Sequence, residues 1–248
     1  MMNITVEQFK NFFKYYKPEY HQEVAVEILY KDIPDSLLKE DSDWIRQYRN
    51  ELNQDESKNP WPITKQEMAQ IMGCSVGSLS DSLMDDFAYC CNLYGFDRIN
   101  IAYFLGQCGH ESAGLRYPLE IHDGSNYEFR RDLNNIYPGD GVKFAGTGWL
   151  QVTGRANHQA FSDYLQKKGK FDPNVMEIGK TYSSEKYPWS ISGFWWMNRG
   201  MISHCQKRPG VDDVGSKVNG RYLPNGYEDR RHFSHKAFDV LDIAYPGN

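Results

Sequence analysis

Apolar residues return at helical spacing through 83–94, 99–113, 157–168, 189–199 and 230–245, and this recurrence constrains the fold more than any other feature of the chain. A chain patterned at this period buries stripes of helix against helix. In the last stretch Phe233, Ala237, Leu241 and Ala244 follow one another at spacings of four, four and three. "TKQEMAQIMG" opens with Thr64 and Glu67 placed for a capping box. Between 121 and 154 the pattern breaks. Pro138, Gly139, Asp140 and Gly141 punctuate short extended pieces, which predicts a small β hairpin. The expected fold class is mainly α with a small β-hairpin wing.

Residues 1–49 also read as helical. Thr5 and Gln8 form a second capping box ahead of Phe9, Phe12, Phe13 and Tyr16. A stripe of Val24, Ile28 and Leu29 follows, then Trp44, Ile45 and Tyr48 on a short helix. "NELNQDESKNPWP" is polar and proline-bounded, and reads as a linker. The expected division is a helical appendage and linker over 1–60, for wall or partner targeting, and a main domain over 61–248.

Against 28 basic residues stand 33 acidic ones, a net charge of −5 that disfavours a surface built to grip nucleic acid phosphates. The 17 Tyr and 6 Trp suit a sugar-binding groove and an aromatic core equally well. No apolar run reaches 18 residues, so no membrane-inserted segment is expected. "MMNITVEQFKNFFKYY" lacks the basic, apolar and small-residue order of a secretory leader, and the expected place of synthesis is a cytoplasm. The five cysteines show no zinc-ligand spacing and read as reduced, mostly buried thiols. No metal or cofactor is expected, and the chain reads as a monomer.

"GQCGHESAG", residues 106–114, carries the chemistry worth testing. Ile101, Phe104, Leu105, Cys108, Ser112 and Leu115 define the buried face of its helix, and Glu111 falls roughly 20° from Phe104 on the wheel. His110 points nearly opposite. A carboxylate on that shoulder is partly desolvated, which raises its pKa as a general acid requires. Gly106, Gly109 and Ala113 leave room for something bulky beside it, and Gly114 stops the helix. A zincin helix needs H-E-x-x-H, and position 114 is Gly where the second His belongs. The plainer alternative is an exposed helix charge. A glycosidase needs a second carboxylate across the scissile bond. Glu120 lies past Gly114 and Pro118, where the chain is expected to double back, yet Asp123, Glu128, Asp132 and Asp140 are also near. Spacing alone does not separate them.

"AYFLGQCGHESAGL", then Glu120, then "YEFRRDLNNIYPGDGVKFAGTGWLQVTGRANH", resembles glycoside hydrolase family 19 in its phage endolysin and chitinase-like branch. "SGFWWMNRG" and "VNGRYLPNGYEDRR" resemble the family's later blocks, so the similarity runs from about 63 to 245. The resemblance implies a lysozyme-like, two-lobed α-rich fold that cleaves β-1,4 bonds beside N-acetylated sugars with inversion. Glu111 then matches the general acid, Glu120 the base and Thr153 the hydroxyl that positions water. Gln151 and Asn157 match substrate contacts, and Asn219 and Arg230 a polar pair beneath the cleft, with Arg230 holding a carboxylate. Tyr127 and Trp149 are further candidates for substrate contact. Without the resemblance, Gln151 and Thr153 read as strand pairing, Asn219 as a turn residue and Arg230 as a surface charge. The chain departs from the family at Thr147, where Arg is usual, at His158 for Tyr, at Phe129 for Gly and at Arg221 for Gly. The expected activity is host-cell lysis by peptidoglycan cleavage. Alternatives are a chitinase on N-acetylglucosamine polymers and a non-catalytic wall-binding or virion structural protein.

Overall fold

The computed structural model describes residues 61–222 and 225–246, with Phe9, 29–31, 33, 34 and 38 from the N-terminal part. The chain divides into two compact units, Met1–Pro60 and Trp61–Asn248. In the first, Phe9 and Leu38 are helical and buried, and the Phe9 ring meets Tyr30 edge-on at 5.5 Å. The Thr5–Gln8 capping box and the rest of the stripes expected over 1–49 lie outside the described residues.

The second unit is mainly helical. Helix α1 (Lys65–Met72) starts on the Thr64–Glu67 capping box, both halves of which form. Helix α2 (Asp81–Tyr94) starts on Ser80, and α3 (Arg98–Glu111) on Asp97, whose carboxylate accepts from the Asn100 amide. After the segment that carries Glu120 come α4 (Asp140–Lys143), α5 (Arg155–Lys167), α6 (Asn174–Glu177), α7 (Lys180–Lys186) and α8 (Pro188–Asn198). Helices α9 (Met201–Gln206), α10 (Val211–Asn219) and α11 (Tyr227–Val240) complete the unit. No helix among the described residues is long and apolar enough to cross a membrane.

Helix α3 is the axis of the core. One buried stripe was the expectation, but every residue from Asn100 to Gly109 is buried. Helix α11 lies along it and explains the small residues of "GQCGHESAG". A Cβ on Gly106 would stand 2.3 Å from Ser234 Oγ and 2.7 Å from Ser234 Cα, and one on Gly109 2.4 Å from the Phe233 ring. The room they leave is filled by a helix, not by a ligand. Arg98 at the start of α3 donates to the Leu241 carbonyl at 2.8 Å, so the two helices run antiparallel and the start of α11 meets the end of α3. Helix α11 stops at Val240 instead of reaching 245, because Asp242 takes a left-handed φ of 50°.

Much of the aromatic excess is core. Trp189 of α8 meets Phe87 at 5.0 Å and Trp149 at 5.4 Å, and Trp196 meets Phe104 at 5.4 Å. Asp86 of α2 fastens α8 by accepting from the amides of Trp189 at 2.7 Å and Ser190 at 3.2 Å, as a helix N-terminus favours. Burial pushes its carboxyl up to about 6.

The wing is not a paired hairpin. Among the described residues there is no strand, only isolated antiparallel bridges from Thr147 to Leu119 and to Val152. Side chains replace the missing ladder. Glu128 accepts from the backbone amides of Gly139 at 2.5 Å and Gly141 at 2.7 Å, and Asp140 accepts from those of Ile136 and Tyr137. The turn residues at 138–141 thus lead into α4 rather than into a return strand.

Candidate active site

Glu111 is the last residue of α3, where the buried helix surfaces, and its side chain is 25% exposed. Arg230, in the first turn of α11, reaches it. Nη2 donates to Glu111 Oε1 at 2.5 Å, Nη1 to Gln107 Oε1 at 2.6 Å and Nε to the Asn225 carbonyl at 3.0 Å. Arg230 is only 1% exposed, so the surface charge that local sequence suggests is a buried fork whose donors are shared among three partners. Gln107 stands one turn before Glu111 on the same helix face. Asn219 Oδ1 accepts from the Asn225 amide at 3.1 Å, which fixes the segment whose carbonyl takes Arg230 Nε. Asn219 therefore joins this cluster through Asn225. Glu111 Oε2 makes no hydrogen bond among the described residues, and that oxygen is free for chemistry.

The chain reverses sharply after Glu111. Ala113, Gly114 and Leu115 take left-handed φ values of 51°, 72° and 64° in succession. A Cβ at Gly114 would lie 2.4 Å from the Met72 carbonyl oxygen, so glycine is required there on two counts. Buried Ser112 ties the reversal: its hydroxyl donates to the Cys108 carbonyl at 2.6 Å and accepts from the Leu115 amide at 2.9 Å. Its carbonyl takes the amides of Arg116 and Tyr117.

The returning chain delivers Glu120. Its amide donates to the Gly146 carbonyl at 2.9 Å, and Gly146 N–H donates back to Glu120 Oε2 at 3.0 Å. The Tyr127 hydroxyl donates to Oε1 at 2.8 Å. Both oxygens are thus held in place by neutral donors. A Cβ on Gly146 would lie 3.0 Å from Glu120 Oε2 and 2.6 Å from Gln151 Oε1, which puts the Gln151 amide beside the same carboxylate. Gln151 Nε2 donates to the Tyr117 carbonyl at 3.1 Å, while its Oε1 is buried without a partner among the described residues. The Thr153 hydroxyl donates to the Gln151 carbonyl at 2.9 Å, and Asn157 Nδ2 to the Thr153 carbonyl at 2.6 Å. The expected site residues therefore gather into two clusters, Glu111–Arg230–Asn219 and Glu120–Tyr127–Gln151–Thr153–Asn157, at the two ends of the ten-residue segment 111–120.

The other acids near Glu120 have structural partners of their own. Asp123 accepts from the Ser125 amide at 2.9 Å, and Glu128 and Asp140 hold the turn described above. Asp140 is buried and forks with Arg155 at 2.5 and 2.9 Å. Asp132 pairs with Arg130 on the surface. Trp149 is a correction. It is 4% exposed with its ring on Trp189, so it builds the core and offers no face to a substrate. Tyr127 keeps its place at the site, with its hydroxyl committed to Glu120. Two departures are also buried. Thr147 donates to the Lys180 carbonyl at 2.9 Å, and His158 meets Phe144 at a tilt, 5.0 Å between ring centroids, with its pKa lowered by burial to about 4. Sequence reasoning missed Gln107, Ser112 and Asn225. Gln107 alone carried a signal, as an amide in a fully buried turn.

No family model matches the chain. A glycosyl hydrolase family 19 domain-containing protein of Haemophilus influenzae is 30% identical over 100 aligned residues, covering 28% of this chain and 50% of that one. The chain thus spans about half the length of that relative. Among solved structures, chitinase C from Streptomyces griseus HUT6037 superposes with a TM-score of 0.56 at 15% identity, covering 77% of this chain and 98% of that one. A family GH19, class IV chitinase from Zea mays gives 0.53 at 19% identity, covering 75% and 95%. These two show a shared helix-rich fold. The similarity to glycoside hydrolase family 19 is carried by sequence and by fold together.

Proposed function

We propose that this chain, built on the fold of family 19 glycoside hydrolases, cleaves β-1,4 bonds in a polymer of N-acetylated sugars by an inverting, two-carboxylate mechanism. The observation that supports it is the contrast between the two carboxylates. Glu111 has one oxygen tied to a buried guanidinium and one free, and Glu120 has both oxygens held by neutral donors.

In this mechanism Glu111 Oε2 carries the proton and gives it to the glycosidic oxygen as the C–O bond breaks. Glu120, aimed by Tyr127 and Gly146, takes a proton from a water whose oxygen bonds to the anomeric carbon from the opposite face. Exchange with solvent then resets both groups. The Thr153 hydroxyl has donated its own proton to the Gln151 carbonyl, so toward that water it is an acceptor. Gln151 Oε1 is an unused acceptor for a substrate N–H or O–H. Asn157 and Asn219 act on the site's shape through Thr153 and Asn225.

The preferred polymer is bacterial peptidoglycan, the substrate of the phage endolysins in the branch that the "GQCGHES" to "QVTGRANH" blocks resemble, a branch that holds chitinase-like members as well. The site of action is then the wall, outside the cytoplasm. Chitin is the second reading, favoured by the chitinases that share the fold. Incubation with purified peptidoglycan and with chitin oligomers, followed by mass spectrometry, decides between them. Disaccharide-peptide fragments from the wall and slower release from chitin are expected. Release from chitin alone overturns the peptidoglycan assignment, and release from neither overturns the glycosidase.

A further inference from the structure

Among the exposed apolar side chains near Glu120, Phe129 combines exposure with a strained backbone. Phe129 has a left-handed φ of 54°, a conformation unfavourable for a bulky L-residue, and its ring is 59% exposed. It has no ring partner among the described residues. The strain is therefore not offset by burial, and glycine at this position would relieve the strain and expose less apolar surface.

The backbone that presents the ring is rigid. Tyr127, two residues earlier, donates to Glu120, and its carbonyl accepts from Nδ2 of buried Asn135 at 2.9 Å. Glu128, the residue before, is anchored through both oxygens to Gly139 and Gly141. A fixed aromatic face is thereby held a short, stiff span from the carboxylate proposed as the base. Exposed strain beside a functional group points outward, to a contact made with something other than the chain.

We propose that Phe129 is a specificity-determining platform whose ring stacks on the apolar face of a sugar in the polymer bound at the Glu120 side. This rests on the glycosidase reading above for the identity of the ligand. Stacking needs a flat apolar face at low entropic cost, which a ring on an anchored backbone supplies.

The test uses Phe129→Gly, which suits the left-handed backbone, and Phe129→Tyr, which keeps the ring. The glycine variant should melt no lower than the wild type, while its KM for long glycans rises about tenfold with the loss falling on KM rather than kcat. The tyrosine variant should restore KM. Retardation of each protein in native gels cast with soluble glycol chitin reads the same contact without hydrolysis. Retardation of the wild type and of Phe129→Tyr, lost in Phe129→Gly, is the expected result. Unchanged KM and retardation in Phe129→Gly overturn the platform. A wild type that is retarded but releases no product overturns the glycosidase reading and leaves the gel result to decide the platform. A wild type that is not retarded overturns the platform.

Discussion

Glu111→Gln and Glu120→Gln each lower turnover by ~10²–10⁴-fold while the protein stays folded. Gln at 111 keeps an acceptor for Arg230 Nη2 but carries no proton it can give to a leaving oxygen. Gln at 120 keeps an acceptor for Gly146 N–H, and the Tyr127 hydroxyl can rotate to accept from its amide. Neither change leaves two donors facing each other. Glu128→Gln is the informative comparison, because both of its partners are backbone N–H groups and an amide NH₂ must face one of them. It loses stability more than chemistry. Initial rates on wall suspensions, read beside thermal melts of the three variants, check this; full lysis by Glu111→Gln would remove Glu111 from the mechanism.

Arg230→Met has the largest expected effect on stability. Arg230 is buried and serves Glu111, Gln107 and the Asn225 carbonyl at once. Removing it strands the Gln107 amide in the core and leaves Glu111 Oε1 without its donor, at a cost of about 2–4 kcal/mol. A unit of this size should then melt roughly 5–15 °C lower. Turnover should fall as well, because nothing else among the described residues holds Glu111 Oε1. Arg230→Lys keeps the charge but not the fork, and one ammonium cannot span three partners set in different directions. Its melting point should lie between those of Arg230→Met and the wild type. A methionine variant as stable as the wild type would show that the fork contributes nothing net.

The helices were legible because their signal is local. Thr64 with Glu67 and the stripes of α2, α3, α5 and α8 are patterns a few residues long, and each helix forms within a few residues of its expected place. Arg230 was not legible from local pattern, since its side-chain partners lie 119 and 123 residues away. From inside its own helix it is a charge in a first turn. The wing misled for a related reason. Turn residues specify where a chain bends, and here the groups that receive the bend are the carboxylates of Glu128 and Asp140, not a second strand. The glycines of "GQCGHESAG" were legible as space but not as whose space: Ser234 and Phe233 occupy it, and that close approach brings Arg230 to Glu111. Trp149 shows the limit of residue type, because an indole that suits a sugar face suits a core equally well.

In the proposed mechanism Glu111 and Glu120 act as acid and base on opposite faces of one sugar. Time-resolved proton NMR of the first product released by the wild-type protein tests it most directly, because the attacking water's face sets the new anomeric centre. Cleavage of a β-linked chain should give the α-anomer first, with the β-anomer appearing only as mutarotation proceeds. A product that appears first as the β-anomer would mean net retention and would contradict the roles assigned to both glutamates.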